Sequence, residues 1–95
     1  MAKLNDEQIT DRLTKLGNWS KSANDEISRT FLLSGFAQAL VFVNAVGLLA
    51  EAAQHHPDIT IQWRRVTLLL TTHDEGGLTD KDLDLAAQID RLPLI

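Results

Sequence analysis

The chain of 95 residues has no cysteine, which excludes disulfide staples, thiolate metal sites and a thiol nucleophile. It also lacks an excess of positive charge: nine Lys and Arg stand against 13 Asp and Glu, for a formal net charge of −4. Binding to phosphate backbones needs clustered cations, and Arg64-Arg65 is too small a patch, so no nucleic-acid partner is expected. The stretch Met1-Ala2-Lys3-Leu4-Asn5-Asp6 turns acidic at once and lacks the apolar core of a secretory signal, so a cytoplasmic protein is expected. Long apolar runs are scarce as well. About 16 residues between Gly35 and Ala50, interrupted by Gln38 and Asn44, fall short of the ~20 that a membrane span requires, so no membrane partner is expected. Repeats and low-complexity tracts are absent, and the length suits one domain over residues 1–95 with a single modest core.

What is present reads as alternating helices and strands. Asn5 with Gln8 has the spacing of a capping box, and Ile9, Leu13 and Leu16 follow at helical intervals up to Gly17, predicting a helix over 5–16. Residues 19–22 and 26–33 suit two strands around the turn Ala23-Asn24-Asp25, with Ile27, Phe31 and Leu33 on one face. From Ser34 or Gly35 to Gln54 the pattern is a long helix, apolar nearly all round. Packed on a sheet in so small a domain it would keep one side uncovered, which predicts self-association. Ile59, Ile61 and Trp63 fall on odd positions and Val66, Leu68 and Leu70 on even ones. A two-residue turn at Arg64-Arg65 resets the phase, pairing Trp63 with Val66, Ile61 with Leu68 and Ile59 with Leu70; a β-bulge there is the rival. Trp63 is then a core aromatic. After Gly76-Gly77, Thr79 and Asp82 open a last helix through Leu83, Ala86, Ala87 and Ile89, ending before Pro93. The expected fold class is α+β, with a four-stranded antiparallel sheet, three helices on one face, and the order α-β-β-α-β-β-α.

All three histidines lie at element ends in this layout: His55 and His56 after the long helix, and His73 after the last strand. Imidazole titrates nearest neutrality, so such a set suits proton transfer at working pH. Pro57 pushes His56 toward extended backbone, so the two neighbouring rings are expected to point apart and to differ in role. Glu51 lies one helical turn before His55 and is expected to orient that ring. A plainer reading has His55 capping the helix end and His56 in a loop. Asp82 similarly has a purely structural role available, as the third residue of a capping box on Thr79, and Asp74 and Glu75 read as solvated loop charges. A zinc site is disfavoured, because adjacent histidines do not present both rings to one ion as an i,i+4 pair does.

Glu51-x-x-x-His55-His56-Pro57, the aromatic Trp63, Thr72-His73, Gly77-Leu78-Thr79-x-x-Asp82 and Ala86-x-x-Ile89, together with Gly17-x-Trp19 and the Phe31 to Phe36 region, resemble the pterin-4a-carbinolamine dehydratases over nearly the whole chain. The resemblance implies the same α+β fold and a homodimer or homotetramer. It implies dehydration of a 4a-hydroxy-tetrahydropterin, released by an aromatic amino acid hydroxylase, to quinonoid dihydropterin and water, with no metal and no cofactor. By the same resemblance His55, His56 and His73 are the catalytic residues, and Asp82, Glu51 and Trp63 bind substrate or support them. Two positions depart from the family's pattern: Trp63 stands where Tyr is common and Ala52 where Lys is common. A catalytic phenol at position 63 is thereby excluded. The same resemblance carries an alternative, a non-catalytic dimerisation partner of a transcription factor.

Overall fold

A computed structural model describes residues 2–95. The first helix, α1 (Asp6–Thr14), begins as its spacing predicts. Asn5 Oδ1 accepts the Gln8 N–H at 2.8 Å and Gln8 Oε1 accepts the Asn5 N–H at 2.9 Å, so two otherwise orphaned helix donors satisfy each other's residues. Strands β1 (Ser20–Lys21) and β2 (Ile27–Leu32) form the N-terminal hairpin, followed by α2 (Phe36–Ala53), β3 (Asp58–Gln62), β4 (Arg65–Leu70), a single 3₁₀ turn at His73–Glu75 and α3 (Asp80–Asp90). This is the α-β-β-α-β-β-α order expected from the periodicities.

The four strands form one antiparallel sheet in the order β1-β2-β4-β3. Side chains alternate across it. Ile27 and Phe31 of β2 and Val66, Leu68 and Leu70 of β4 face inward and are buried. On the other face Thr30, Thr67 and Thr60 stand side by side across three strands. The helices cover the inward face, α2 contributing Ala39, Phe42, Val46 and Ala50 and α3 contributing Leu83, Leu85, Ala86 and Ile89. At the far end of α3, Asp90 accepts from Trp19 Nε1 and Arg29 Nη1, both at 2.8 Å, and from the Gly17 N–H at 3.2 Å. This carboxylate ties the helix to the N-terminal hairpin.

The buried stripe of α2 is narrow for so apolar a helix. Phe36, Leu40, Val41 and Leu48 remain exposed, Leu48 by 74%. At 18 residues and mean hydropathy 1.6, α2 is long and apolar enough to cross a membrane by length and composition, although its inward stripe packs against α3 and β4.

The β3–β4 turn differs from expectation. Gln62 pairs with Arg65, Ile61 with Val66 and Ile59 with Leu68, so the two turn residues are Trp63 and Arg64 instead of Arg64 and Arg65. Ile61 and Val66 still share a face, because shifting both flanking positions by one residue leaves the alternation intact. Trp63 is consequently no core aromatic. It occupies the first turn position at φ 56 and is 70% exposed, a left-handed conformation that glycine adopts more readily.

Candidate active site

Helix α2 ends on Gln54, which is left-handed at φ 51 and ψ 43. Its N–H donates to the Glu51 carbonyl at 3.1 Å, and the His55 N–H reaches back to the Ala50 carbonyl at 3.1 Å. These are the paired bonds of a Schellman ending, in which glycine usually takes the position held here by Gln54. A side-chain-bearing residue in that conformation costs about 1–2 kcal/mol. The reversal carries the His55 ring to α3, where Nε2 meets Asp82 Oδ1. His56 finds a different carboxylate, with Nε2 2.8 Å from Glu51 Oε1. The expected partnership of Glu51 with His55 is thus replaced by Glu51 with His56, because the left-handed residue removes His55 from the helical surface on which the four-residue spacing would bring the two together.

Asp82 is fully buried and serves two purposes at once. Oδ2 accepts the Thr79 N–H at 2.9 Å, closing the predicted capping box, and also accepts the Thr72 hydroxyl at 2.7 Å. A carboxylate only accepts, so Thr72 spends its proton there and the Thr79 hydroxyl, 2.9 Å away, must donate to Thr72 Oγ1. Oδ1 is left for His55. The same reasoning puts a proton on His55 Nε2 and leaves Nδ1 as the nitrogen able to accept when the ring is neutral. One oxygen of Asp82 thus completes the helix cap while the other meets His55.

His73 starts the 3₁₀ turn after β4 and is exposed. The turn closes on Gly76, left-handed at φ 75, and a bridge between Thr72 and Gly77 ties its ends. An open cleft of about 250 Å³ lies between this loop and the end of α2, lined by His55, His56 and His73 together with Gln54, Thr71, Thr72, Asp74 and Lys81. The three histidines thus meet at one cavity. Asp82 stands behind His55, and Glu51 reaches the site only through His56. Trp63 does not reach it within this chain: it sits at the opposite end of β4, and six strand residues at ~3.3 Å each put about 20 Å between the two ends. Among the described residues no three His, Asp or Glu side chains are grouped so as to hold one metal ion.

Of the other lining residues, Thr72 belongs to the Thr72-His73 motif, whereas Gln54, Thr71, Asp74 and Lys81 carried none. Thr72 had a usable signal, since it continues the inward alternation of Leu68 and Leu70 and so enters the side on which α3 lies. Gln54 had a weaker one, in that a helix ending before Pro57 needs a left-handed residue close by. Asp74, expected as a solvated charge, is exposed and also borders the cleft. Lys81 showed no signal.

The sequence profile of the family described as Pterin 4 alpha carbinolamine dehydratase matches residues 2–92. The chain belongs to this family. A Roseiflexus castenholzii protein provisionally named pterin-4-alpha-carbinolamine dehydratase is 58% identical over 91 residues, covering 96% of this chain and 97% of its own. A Nocardia farcinica protein under the same provisional name is 53% identical over 89 residues, with 94% and 93% coverage. A Brucella melitensis crystal structure described as a transcriptional coactivator/pterin dehydratase superposes with a TM-score of 0.88 at 31% identity, over 92% of this chain and 94% of that one. A pterin dehydratase-like protein identified as a RuBisCO assembly factor of the alpha-carboxysome has a TM-score of 0.68 at 22% identity, over 78% and 87% of the two chains, a likeness of fold alone. The dehydratase-family fold therefore underlies the cleft and its three histidines.

Proposed function

We propose that this chain dehydrates a 4a-hydroxy-tetrahydropterin to quinonoid dihydropterin and water by general acid–base catalysis. The observation that carries this reading is the convergence of His55, His56 and His73 on one open cleft, with His55 held by a buried carboxylate, in a chain of the pterin-4-alpha-carbinolamine dehydratase family. The reaction breaks the bond from the bridgehead carbon to its hydroxyl, which leaves as water with a proton from the acid. The neighbouring ring nitrogen gives its proton to the base as the C=N bond forms. The C–O pair leaves with the oxygen and the pair left on nitrogen forms the C=N bond, so no electrons are gained or lost overall and no redox partner is needed. His55 and His73 act as the acid and base, His56 positions substrate and relays protons, Asp82 fixes the His55 ring, and Glu51 does the same for His56. Positioned acid–base groups contribute typically ~10²–10⁴-fold. The substrate would come from an aromatic amino acid hydroxylase in the cytoplasm. Freshly generated 4a-hydroxy-tetrahydropterin, followed by its absorbance change, should lose water faster with the protein than in buffer. A rate equal to the buffer rate overturns the reading.

The uncovered side of α2, with Phe36, Val41 and Leu48 each more than half exposed, supports self-association into a dimer or tetramer. Sedimentation should show a species larger than the 10.6 kDa chain, and a strict monomer at high concentration contradicts this. The same surface favours the second reading, a non-catalytic interaction protein, should the dehydration assay fail.

A further inference from the structure

The loop that carries His73 is gripped at both ends by one residue from the opposite end of the sequence. Asp25, in the β1–β2 turn, accepts the Thr71 hydroxyl on its backbone carbonyl at 3.1 Å and the Leu78 N–H on carboxylate Oδ2 at 3.0 Å. Thr71 and Leu78 flank the 3₁₀ turn at His73–Glu75, and Leu78 precedes Thr79, the cap of α3. Asp25 makes both bonds from a left-handed backbone, φ 58, a conformation that Asp and Asn tolerate better than most residues. The approach is close: a Cβ on Gly77 would lie 2.0 Å from Asp25 Oδ2, so the carboxylate would have to move to admit one. Lys21 Nζ, 3.3 Å from Oδ1, and Lys3 Nζ, 3.9 Å from Oδ2, pair with the same carboxylate. The Leu4 N–H adds a bond to the Leu78 carbonyl at 2.8 Å. Asp25 itself lines no part of the histidine cleft.

From this geometry we infer that Asp25 is a positioning residue for the cleft, setting where His73 stands relative to His55 by fixing both ends of the His73 loop. The inference rests on the acid–base reading of the cleft, but its structural part is independent of that reading. Burial alone would raise the Asp25 carboxyl, yet the Leu78 N–H and the neighbouring Lys21 and Lys3 ammonium groups outweigh it and hold the group below the ordinary 3.8. The carboxylate is therefore present as an acceptor throughout the neutral range.

Asp25→Gly and Asp25→Asn separate the contributions. Glycine keeps the left-handed backbone without strain and removes the carboxylate; asparagine keeps an acceptor for the Leu78 N–H. In folded Asp25→Gly the His73 imidazole signals in a nitrogen-detected NMR spectrum should shift. The dehydration kcat should fall by about tenfold to a hundredfold, as misplacement of a reacting group by about 1 Å does, with a smaller change in KM. Asp25→Asn should restore both readouts most of the way. Unchanged His73 signals in folded Asp25→Gly, or an Asn variant no better than the Gly one, overturns the inference. Should Asp25→Gly not fold, Asp25→Glu, which moves the carboxylate one methylene outward, must show the same His73 shift and kcat loss. If the wild-type protein gives no rate above buffer, the dehydratase reading fails by itself, and the NMR arm still decides whether Asp25 sets the position of His73.

Discussion

His55 and His56 are neighbours in the chain, each ring meets a carboxylate through Nε2, and the two pairs have opposite surroundings. The His55 side chain is 11% exposed and Asp82 not at all, whereas His56 is 65% exposed and Glu51 77%. Asp82 is immobilised by the Thr79 N–H and the Thr72 hydroxyl before it meets His55. The Glu51 carboxylate projects from the last turns of α2 and makes no other hydrogen bond among the described residues. A pair of the first kind is preorganised, with ring orientation and tautomer set by the fold. A pair of the second kind is screened by water and salt and typically contributes under about 1 kcal/mol. Identical residue types one position apart therefore stand in different surroundings, separated by burial.

The largest effect should follow from removing the buried pair. His55→Ala is expected to lower kcat/KM for dehydration by about 10²–10⁴-fold, read from the absorbance assay. Asp82→Ala should lose activity similarly and also destabilise the protein by roughly 2–4 kcal/mol, because the Thr79 N–H and the Thr72 hydroxyl lose their acceptor along with the helix cap. Urea unfolding at constant m measures that loss. The exposed pair should behave otherwise: His56→Ala should cost less than about tenfold in rate, since general acid–base effects scale with positioning. Glu51→Gln should leave stability within about 0.5 kcal/mol, and what effect it has on rate should fade in high salt.

A third, smaller effect concerns acid. Asp25 has its folded-state value held below 3.8, so its ionised form stabilises the native state fully above the unfolded value, and that contribution is lost as pH falls through the depressed folded value. Wild type and Asp25→Asn should therefore differ more in urea midpoint at pH 5 than at pH 3. An equal or larger difference at pH 3 contradicts the assignment.

Much of this was readable from residue spacing. Two capping boxes, at Asn5 with Gln8 and Thr79 with Asp82, marked helix starts to within a residue, because a side-chain oxygen three positions from its donor is a local arrangement. The change of phase between Ile61 and Val66 revealed the hairpin but not its register. Pairing about Gln62 and Arg65 keeps the same faces inward as pairing about Trp63 and Val66, and nothing in alternation separates the two. Trp63 was for that reason expected in a core strand, whereas it lies on an exposed turn. The three histidines were legible as a set and Asp82 and Glu51 were named beside them, whereas which carboxylate meets which ring was not. One left-handed residue, Gln54, redirects the chain and exchanges the partners, and Gln is not the residue that advertises such a bend.

The most direct test sets the two carboxylates against each other. Asp82→Asn and Glu51→Gln each exchange a carboxylate for an amide of the same shape, and their dehydration rates should be compared at one pH and salt concentration. Asp82→Asn should lose about a hundredfold or more, since the amide can no longer serve the cap and the His55 Nε2–H as the carboxylate does, and Glu51→Gln less than about tenfold. Equal losses, or a greater loss for Glu51→Gln, would contradict the claim that the buried His55–Asp82 pair carries the proton chemistry.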